Sequence, residues 1–159
     1  LDALALKIHL GHVEGLKVAI CGDIRHSRVA RSNAPLLPRL GAEVRLAGPP
    51  SLLPEDAPAL SIDEAIEGAD VVMMLRVQRE RLEEELGDGP GEYLERYGLT
   101  AERLARAAPS AVVMHPGPMN RNVEIADDVA DDPERSLIRL QVEAGVATRM
   151  ACLELVTSD

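Results

Sequence analysis

Four short apolar runs, each closed by turn-forming residues, divide the chain: "LKVAICGD" (16–23), "AEVRLAGPP" (42–50), "VVMMLR" (71–76) and "SAVVMHPGP" (110–118). The first, third and fourth are continuous in apolar residues, as in parallel strands covered on both faces, and the second alternates. Between these runs the spacing turns helical. Leu1, Leu4 and Ile8 share a helical stripe that Gly11 and Gly15 close, so the chain reads as beginning inside a helix, with something preceding it. Val29, Asn33, Leu36 and Leu40 keep the same spacing up to Gly41, the position of a C′ glycine. Pro35 and Pro38 predict a break of this helix near Asn33, with a new turn starting there, because proline is tolerated only in a first turn.

Further along, Ser61 stands three residues before Glu64, a capping box opening a short helix that Gly68 ends. The run "QRERLEEELGDGPGEYLERYGLT" carries Gly87, Gly89, Pro90 and Gly91 in its middle and reads as a mobile loop leading into a short helix, its "RERLEEE" a solvated face. Thr100 is placed to cap "AERLARAA", and residues 136–156 form a long closing helix. Strands alternating with helices specify right-handed crossovers. The expected fold is an α/β Rossmann-like three-layer sandwich, a mainly parallel central sheet with helices on both faces.

Composition narrows the function classes. The 159 residues suit about one domain, and no apolar run approaches the length of a membrane span. The net charge of −10 repels a phosphate backbone, and Tyr93 and Tyr97, the only aromatic rings, give no platform for stacking bases. Neither a membrane nor a nucleic acid is an expected partner. Cys21 and Cys152 are far apart and read as two reduced core thiols of a cytoplasmic protein. His9, His12 and His26 are scattered, so neither a metal nor another cofactor is expected.

Ligands of open α/β sheets bind beyond the carboxyl ends of the strands. Here the first strand runs out into His26, Ser27 and Arg28, the third into Arg76, Val77 and Gln78, and the fourth into His115, Pro116, Gly117 and Pro118. In an acidic chain, two guanidinium groups, an amide and a histidine on one edge point to a small, multiply charged anion, since guanidinium forks match carboxylates and phosphates. The plainer reading pairs Arg28 or Arg76 with Asp23, Asp70 or Glu80 at the surface. His115, followed by proline, reads first as a satisfied turn histidine. A dinucleotide site is disfavoured, because the first turn, "CGDIRHSR", has one glycine where the fingerprint needs three.

Three stretches, "GDIRHSRVARSN", "RVQRER" and "HPGPMNRNVEI", in this order and at successive strand ends, resemble the aspartate-binding half of aspartate carbamoyltransferase catalytic chains. The resemblance covers essentially the whole chain. It implies that Arg28 and Arg76 hold the carboxylates of L-aspartate with Gln78 beside them, and that the backbone of Pro116 and Gly117 faces the carbamoyl amide and the aspartate amine, with His115 and Pro118 in support. It further implies that the loop after Gln78 moves when two halves of a subunit close. The implied reaction transfers the carbamoyl group of carbamoyl phosphate to aspartate in de novo pyrimidine synthesis. Arginine and proline at these positions suit aspartate. Ornithine, the substrate of the sister enzymes, would need an acidic partner and typically meets cysteine in place of Pro116.

The family also binds carbamoyl phosphate through an N-terminal domain with a Ser-Thr-Arg-Thr-Arg loop and a His-Pro-Thr-Gln motif, and neither occurs here. The expected organisation is therefore an interdomain helix at 1–14, an aspartate-binding domain at 15–136 and a second interdomain helix at 137–159, with the carbamoyl-phosphate domain outside this chain. Leu4, Ile8, Val142, Val146 and Met150 would form an exposed apolar patch awaiting that domain. The chain alone is then catalytically incomplete. Implied partners are that domain, two further copies in a homotrimer, and regulatory or other pyrimidine-pathway subunits. Two alternatives stand beside this reading: a non-catalytic carbamoyltransferase-like scaffold or regulatory partner, and a transcarbamylase for another amino acid.

Overall fold

The structure, a computed structural model, describes residues 1–58, 60–78 and 89–158. In chain order the elements are α1 (Asp2–Leu10), β1 (Lys17–Cys21), α2 (Arg28–Arg39), β2 (Glu43–Ala47), a 3-10 turn (Pro50–Leu52), α3 (Ile62–Ile66), β3 (Val71–Met74), α4 (Pro90–Tyr97), α5 (Ala101–Leu104), β4 (Val112–Met114), α6 (Asp127–Ala130) and α7 (Ile138–Thr157). The sheet order is β2-β1-β3-β4 and every pairing is parallel. The α/β three-layer arrangement expected from the sequence is the one observed.

Alternation along the strands divides the apolar residues between two cores, because successive side chains point to opposite faces. On one face Val18, Ile20, Val71, Met73, Val112 and Met114 pack with Leu6 of α1, Leu37 of α2 and Ala144 of α7. On the other Ala19, Cys21, Val72, Met74 and Val113 pack with Ile62 and Ile66 of α3, Leu104 of α5 and Val129 of α6. This two-sided cover is why β1 and β3 show continuous apolar runs, whereas β2, at the sheet edge, stays half-exposed over much of its length.

Local signals explain the element ends. Ser61 and Glu64 form the reciprocal capping box, and the Thr100 hydroxyl accepts from Arg103 N. Gly41 follows α2 in the left-handed region. Ser27 caps α2 through its hydroxyl, which accepts from Ala30 N. At the sheet's carboxyl edge the backbones of β1 and β2 run so close that a Cβ on Gly48 would lie 2.2 Å from Gly22 O. Only glycine fits there.

Three expectations are corrected. The break near Asn33 does not occur: α2 is continuous through Pro35 and Pro38. Both rings lie on its exposed face, where solvent can satisfy the carbonyls they leave unpaired, while Ala30, Asn33 and Leu37 anchor the inner face. Cys152 is exposed, not a core thiol, because α7 is buried only through residues of its first half, Ile138, Gln141, Ala144 and Gly145. Pro90 and Gly91 open α4 instead of belonging to a loop, with the proline in the first turn, where its missing donor costs nothing. The expected mobile loop and the "RERLEEE" face fall on 79–88, outside the described residues.

α1 and α7 lie side by side and present Leu4, Ile8, Val142, Val146 and Met150 to solvent, the exposed apolar patch expected from the resemblance. Among the described residues no helix is long and apolar enough to cross a membrane.

Candidate functional site

The carboxyl ends of β1, β3 and β4 open into a cleft of about 190 Å³ lined by Asp23, His26, Ser27, Val29, Leu75, Arg76, Gln78, Pro116 and Gly117. Four residues expected from the sequence, Arg76, Gln78, Pro116 and Gly117, thus meet in one cavity. Arg28 does not line it. It occupies the first turn of α2, exposed, between the lining residues Ser27 and Val29. A strand exit aims its side chains along the sheet's end. A helix turns by about 100° per residue, so only some residues of its start face a given side; here the extended N-cap Ser27 and Val29 line the cleft and Arg28 does not.

Arg76 and Gln78 are exposed, while Val77 between them is buried against Leu52, Tyr93 and Val123. This alternation continues the period of β3 beyond its last ladder bond and holds both polar side chains on the same side. Among the described residues no ion pair joins Arg28 or Arg76 to Asp23 or Asp70; Glu80 lies outside them. The surface-pairing reading loses those two partners. Asp23 brings an acid to the cleft that the sequence did not single out as a lining group. It is 2% exposed, and its Oδ1 accepts from His26 N at 3.1 Å and faces His26 Nδ1 at 2.9 Å.

Beneath the cleft lies a buried chain of polar groups. His115 is 1% exposed; its Nδ1 accepts from Gly117 N at 2.9 Å and its Nε2 faces Glu124 Oε1 at 3.2 Å. A ring nitrogen that accepts a backbone N–H carries no proton, so His115 is the neutral Nε2–H tautomer and donates to Glu124. That arrangement folds the turn of residues 115–118 around the imidazole and leaves Gly117 at φ 60°. His115 is therefore a satisfied turn histidine, as its sequence context suggests. The chain continues through Gln141, whose Oε1 accepts from His115 N at 2.9 Å and whose Nε2 donates to Asp2 Oδ1 at 3.0 Å. Asp2 Oδ2 in turn accepts from Asn33 Nδ2 at 2.7 Å. Asp2, Asn33, Glu124 and Gln141 were missed in the sequence. Asn33 alone left a trace there, as the polar residue on an otherwise apolar stripe.

Cys21, at the end of β1, is held away from chemistry: burial pushes its thiol up to about 12 from a usual 9.0, and the charge of Arg103 lowers it only in part. Among the described residues no cluster of three or more His, Cys, Asp or Glu is arranged to hold a metal ion. What remains is a small open cleft with a guanidinium in no ion pair among the described residues, an amide and a backbone turn, over a buried polar floor. Such a site can orient an anion and present carbonyls to an amine.

Comparison with known proteins bears on which anion. Residues 14–156 match the family model described as aspartate/ornithine carbamoyltransferase, Asp/Orn binding domain. The aspartate carbamoyltransferase catalytic subunit of Granulibacter bethesdensis is 57% identical over 97% of this chain and 51% of its own length. Among solved structures, aspartate transcarbamoylase of Trypanosoma cruzi in complex with N-(phosphonacetyl)-L-aspartic acid is similar with a TM-score of 0.75. Its identity is 27%, over 96% of this chain and 50% of that one. Ornithine carbamoyltransferase of Pyrococcus furiosus shares the fold, with a TM-score of 0.81 over 97% of this chain and 53% of that one. The chain spans about half the length of the curated relatives it matches. With a sequence that matches the family model over residues 14–156 and a relative 57% identical over 97% of its length, it belongs to the aspartate/ornithine carbamoyltransferase family, in which it corresponds to the amino-acid-binding domain.

Proposed function

We propose that this chain is the aspartate-binding half of an aspartate carbamoyltransferase. The single observation that carries the reading is the convergence of Arg76, Gln78, Pro116 and Gly117 on one cleft, with the guanidinium in no ion pair among the described residues. L-Aspartate offers two carboxylates. In this proposal Arg76 takes one, Gln78 donates beside it, and Arg28 reaches the other from the first turn of α2. The backbone of Pro116 and Gly117, held by His115 and Pro118, faces the aspartate amine and the carbamoyl amide. Each charge-assisted contact contributes about 1.5–3 kcal/mol, so a ligand lacking one carboxylate binds about tenfold to a hundredfold more weakly.

The amine nitrogen then attacks the carbonyl carbon of carbamoyl phosphate. A C–N bond forms, the C–O bond to phosphate breaks, the amine loses a proton, and N-carbamoyl-L-aspartate and phosphate leave. Carbamoyl phosphate is bound by the part of the enzyme corresponding to the half of its relatives that this chain does not span. In that assignment residues 1–14 and 137–159 are interdomain helices, 15–136 the aspartate-binding domain, and the exposed apolar residues of α1 and α7 the surface that meets the other domain. The assembly we propose is a cytoplasmic homotrimer.

The amine substrate distinguishes this reading from its sister activity. In the full-length enzyme a panel of aspartate, asparagine and ornithine is expected to give carbamoylation of aspartate alone, and calorimetry is expected to detect binding of N-(phosphonacetyl)-L-aspartate. Turnover of ornithine, or no binding of the aspartate analogue, overturns the proposal.

A further inference from the structure

The excursion between β4 and α6 leaves the cleft and returns, and its geometry has a purpose beyond joining two elements. Glu124, 0% exposed, turns its carboxylate back into the fold, where Oε1 faces His115 Nε2 at 3.2 Å and accepts Asn120 N at 2.5 Å. Asn120 is thereby placed so that its Nδ2 donates to Val77 O at 2.8 Å. Val77 is the residue between Arg76 and Gln78, both of which line the cleft. The same carboxylate oxygen thus holds the His115 ring, which shapes the Pro116–Gly117 turn, and the loop whose amide grips the β3 exit. From the outside the loop is braced separately: Asn122, at φ 57°, donates through Nδ2 to Asp127 Oδ2 at 2.7 Å, and Arg121 bridges Asp127 and Asp131.

We propose that Asn120 and Glu124 are positioning residues for aspartate, fixing the distance between the guanidinium of Arg76 and the Pro116–Gly117 turn. The physical reason is that the ladder between β3 and β4 ends at the Met73–Met114 pair. No sheet bond between those two strands then sets the separation of their exits, and the packing of the Val77 side chain against Leu52, Tyr93 and Val123 leaves its carbonyl without a tether toward the β4 side. The Asn120 amide supplies the missing cross-link, and a buried carboxylate that accepts from both sides fixes the amide. Among the described residues Glu124 Oε2 has no hydrogen-bond partner and the carboxylate is held through Oε1, which concentrates the constraint on the His115–Asn120 pair. A shift of a fraction of an ångström between the two exits misaligns a dicarboxylate more than it disturbs a ligand bound elsewhere.

This inference rests on the proposed aspartate activity, and its test separates the two. In the full-length enzyme, Asn120→Ala and Glu124→Gln are compared with the wild type for the KM of aspartate, the KM of carbamoyl phosphate, kcat and Tm. Asn120→Ala is expected to raise the KM of aspartate about tenfold, the effect of one lost oriented contact, while the KM of carbamoyl phosphate stays within about twofold. Asn120→Gln, which retains an amide donor, is expected to recover part of that loss. Glu124→Gln is expected to move the same constant in the same direction; if it fails to fold, the two Asn120 variants decide. A Tm that falls with the aspartate KM unchanged, or the two KM values rising together, overturns the inference alone. A wild-type enzyme that does not carbamoylate aspartate overturns the functional reading as well.

Discussion

The floor of the cleft and its rim treat polar groups in opposite ways. Below, His115, Glu124, Gln141, Asp2 and Asn33 are all at most 8% exposed and hydrogen-bonded to one another or to backbone. Above, Arg28, Arg76 and Gln78 stand in solvent, and the cleft guanidinium is in no ion pair among the described residues. An unmet polar group costs little in water and a great deal in the interior, so the fold satisfies nearly all of the floor itself, Glu124 Oε2 being the exception among the described floor residues, and can leave the rim for a ligand. Burial and direct contact with a ligand thereby fall to different residues, and substitutions should separate the two.

The largest effect is expected on the floor. His115→Ala leaves Gly117 N without its acceptor and deprives Glu124 of its ring donor in a space closed to water. The lost contacts and the cavity together should destabilise by about 2–4 kcal/mol, read as a lower midpoint in urea with an unchanged slope. A loss below 1 kcal/mol would mean that the turn holds its shape without the imidazole.

On the rim the order reverses. Arg76→Ala should change unfolding free energy by less than about 0.5 kcal/mol, since the side chain is exposed, yet weaken aspartate or its phosphonacetyl analogue about a hundredfold in the full-length enzyme. Arg28→Ala should cost less, about tenfold, because Arg28 stands outside the cleft lining and must be brought to the ligand. Equal losses from the two would show that the cleft closes around aspartate and makes the arginines equivalent.

Those two arginines also measure what the sequence discloses. Strand and helix order, the two-sided core and the β3 and β4 exits were legible, because hydrophobic periodicity and glycine-proline punctuation are local signals. Arg76 and Gln78 line the cleft as the strand pattern predicts, because the period of two carries past the end of a strand. Arg28 could not, since which residues of a first helical turn face a cleft depends on how α2 crosses the sheet. The same limit explains Pro35 and Pro38: their tolerance follows from facing solvent, a tertiary fact. The polar floor was illegible almost throughout. Asp2, Gln141 and Glu124 are separated by long stretches of chain, and nothing in a run of residues marks a carboxylate as one that will be buried beside an amide from another helix.

The two thiols repeat the contrast at smaller scale. Burial raises Cys21 to about 12 from 9.0, so its neutral form favours the folded state fully below pH 9. As the pH climbs from 9 toward 12 the unfolded thiol ionises first, and that stabilisation is lost, by at most about 1.4 kcal/mol per pH unit. Unfolding free energy measured across this range should fall more steeply in the wild type than in Cys21→Ala. Cys152, exposed on α7, should be alkylated in the folded protein under conditions that leave Cys21 unmodified. Labelling of both thiols without denaturant would show that β1 opens far more readily than its full burial implies.

The smallest expected effect lies on α7, where apolar residues stand in water much as Arg76 does. Val146 is 59% exposed, and Val142 and Met150 are 66% exposed on the same face. Truncating such a side chain removes little buried area, so Val146→Ala should change the unfolding free energy of this chain by less than about 0.5 kcal/mol. If the face meets another domain, as the proposed function requires, the same substitution in the full-length enzyme should lower Tm measurably, because there the methyl groups leave an interior and not a surface. The difference between the two measurements is what carries information. A loss already present in this chain alone would mean that α7 packs against its own fold through this face, and an equal insensitivity in both contexts would remove α7 from the proposed contact.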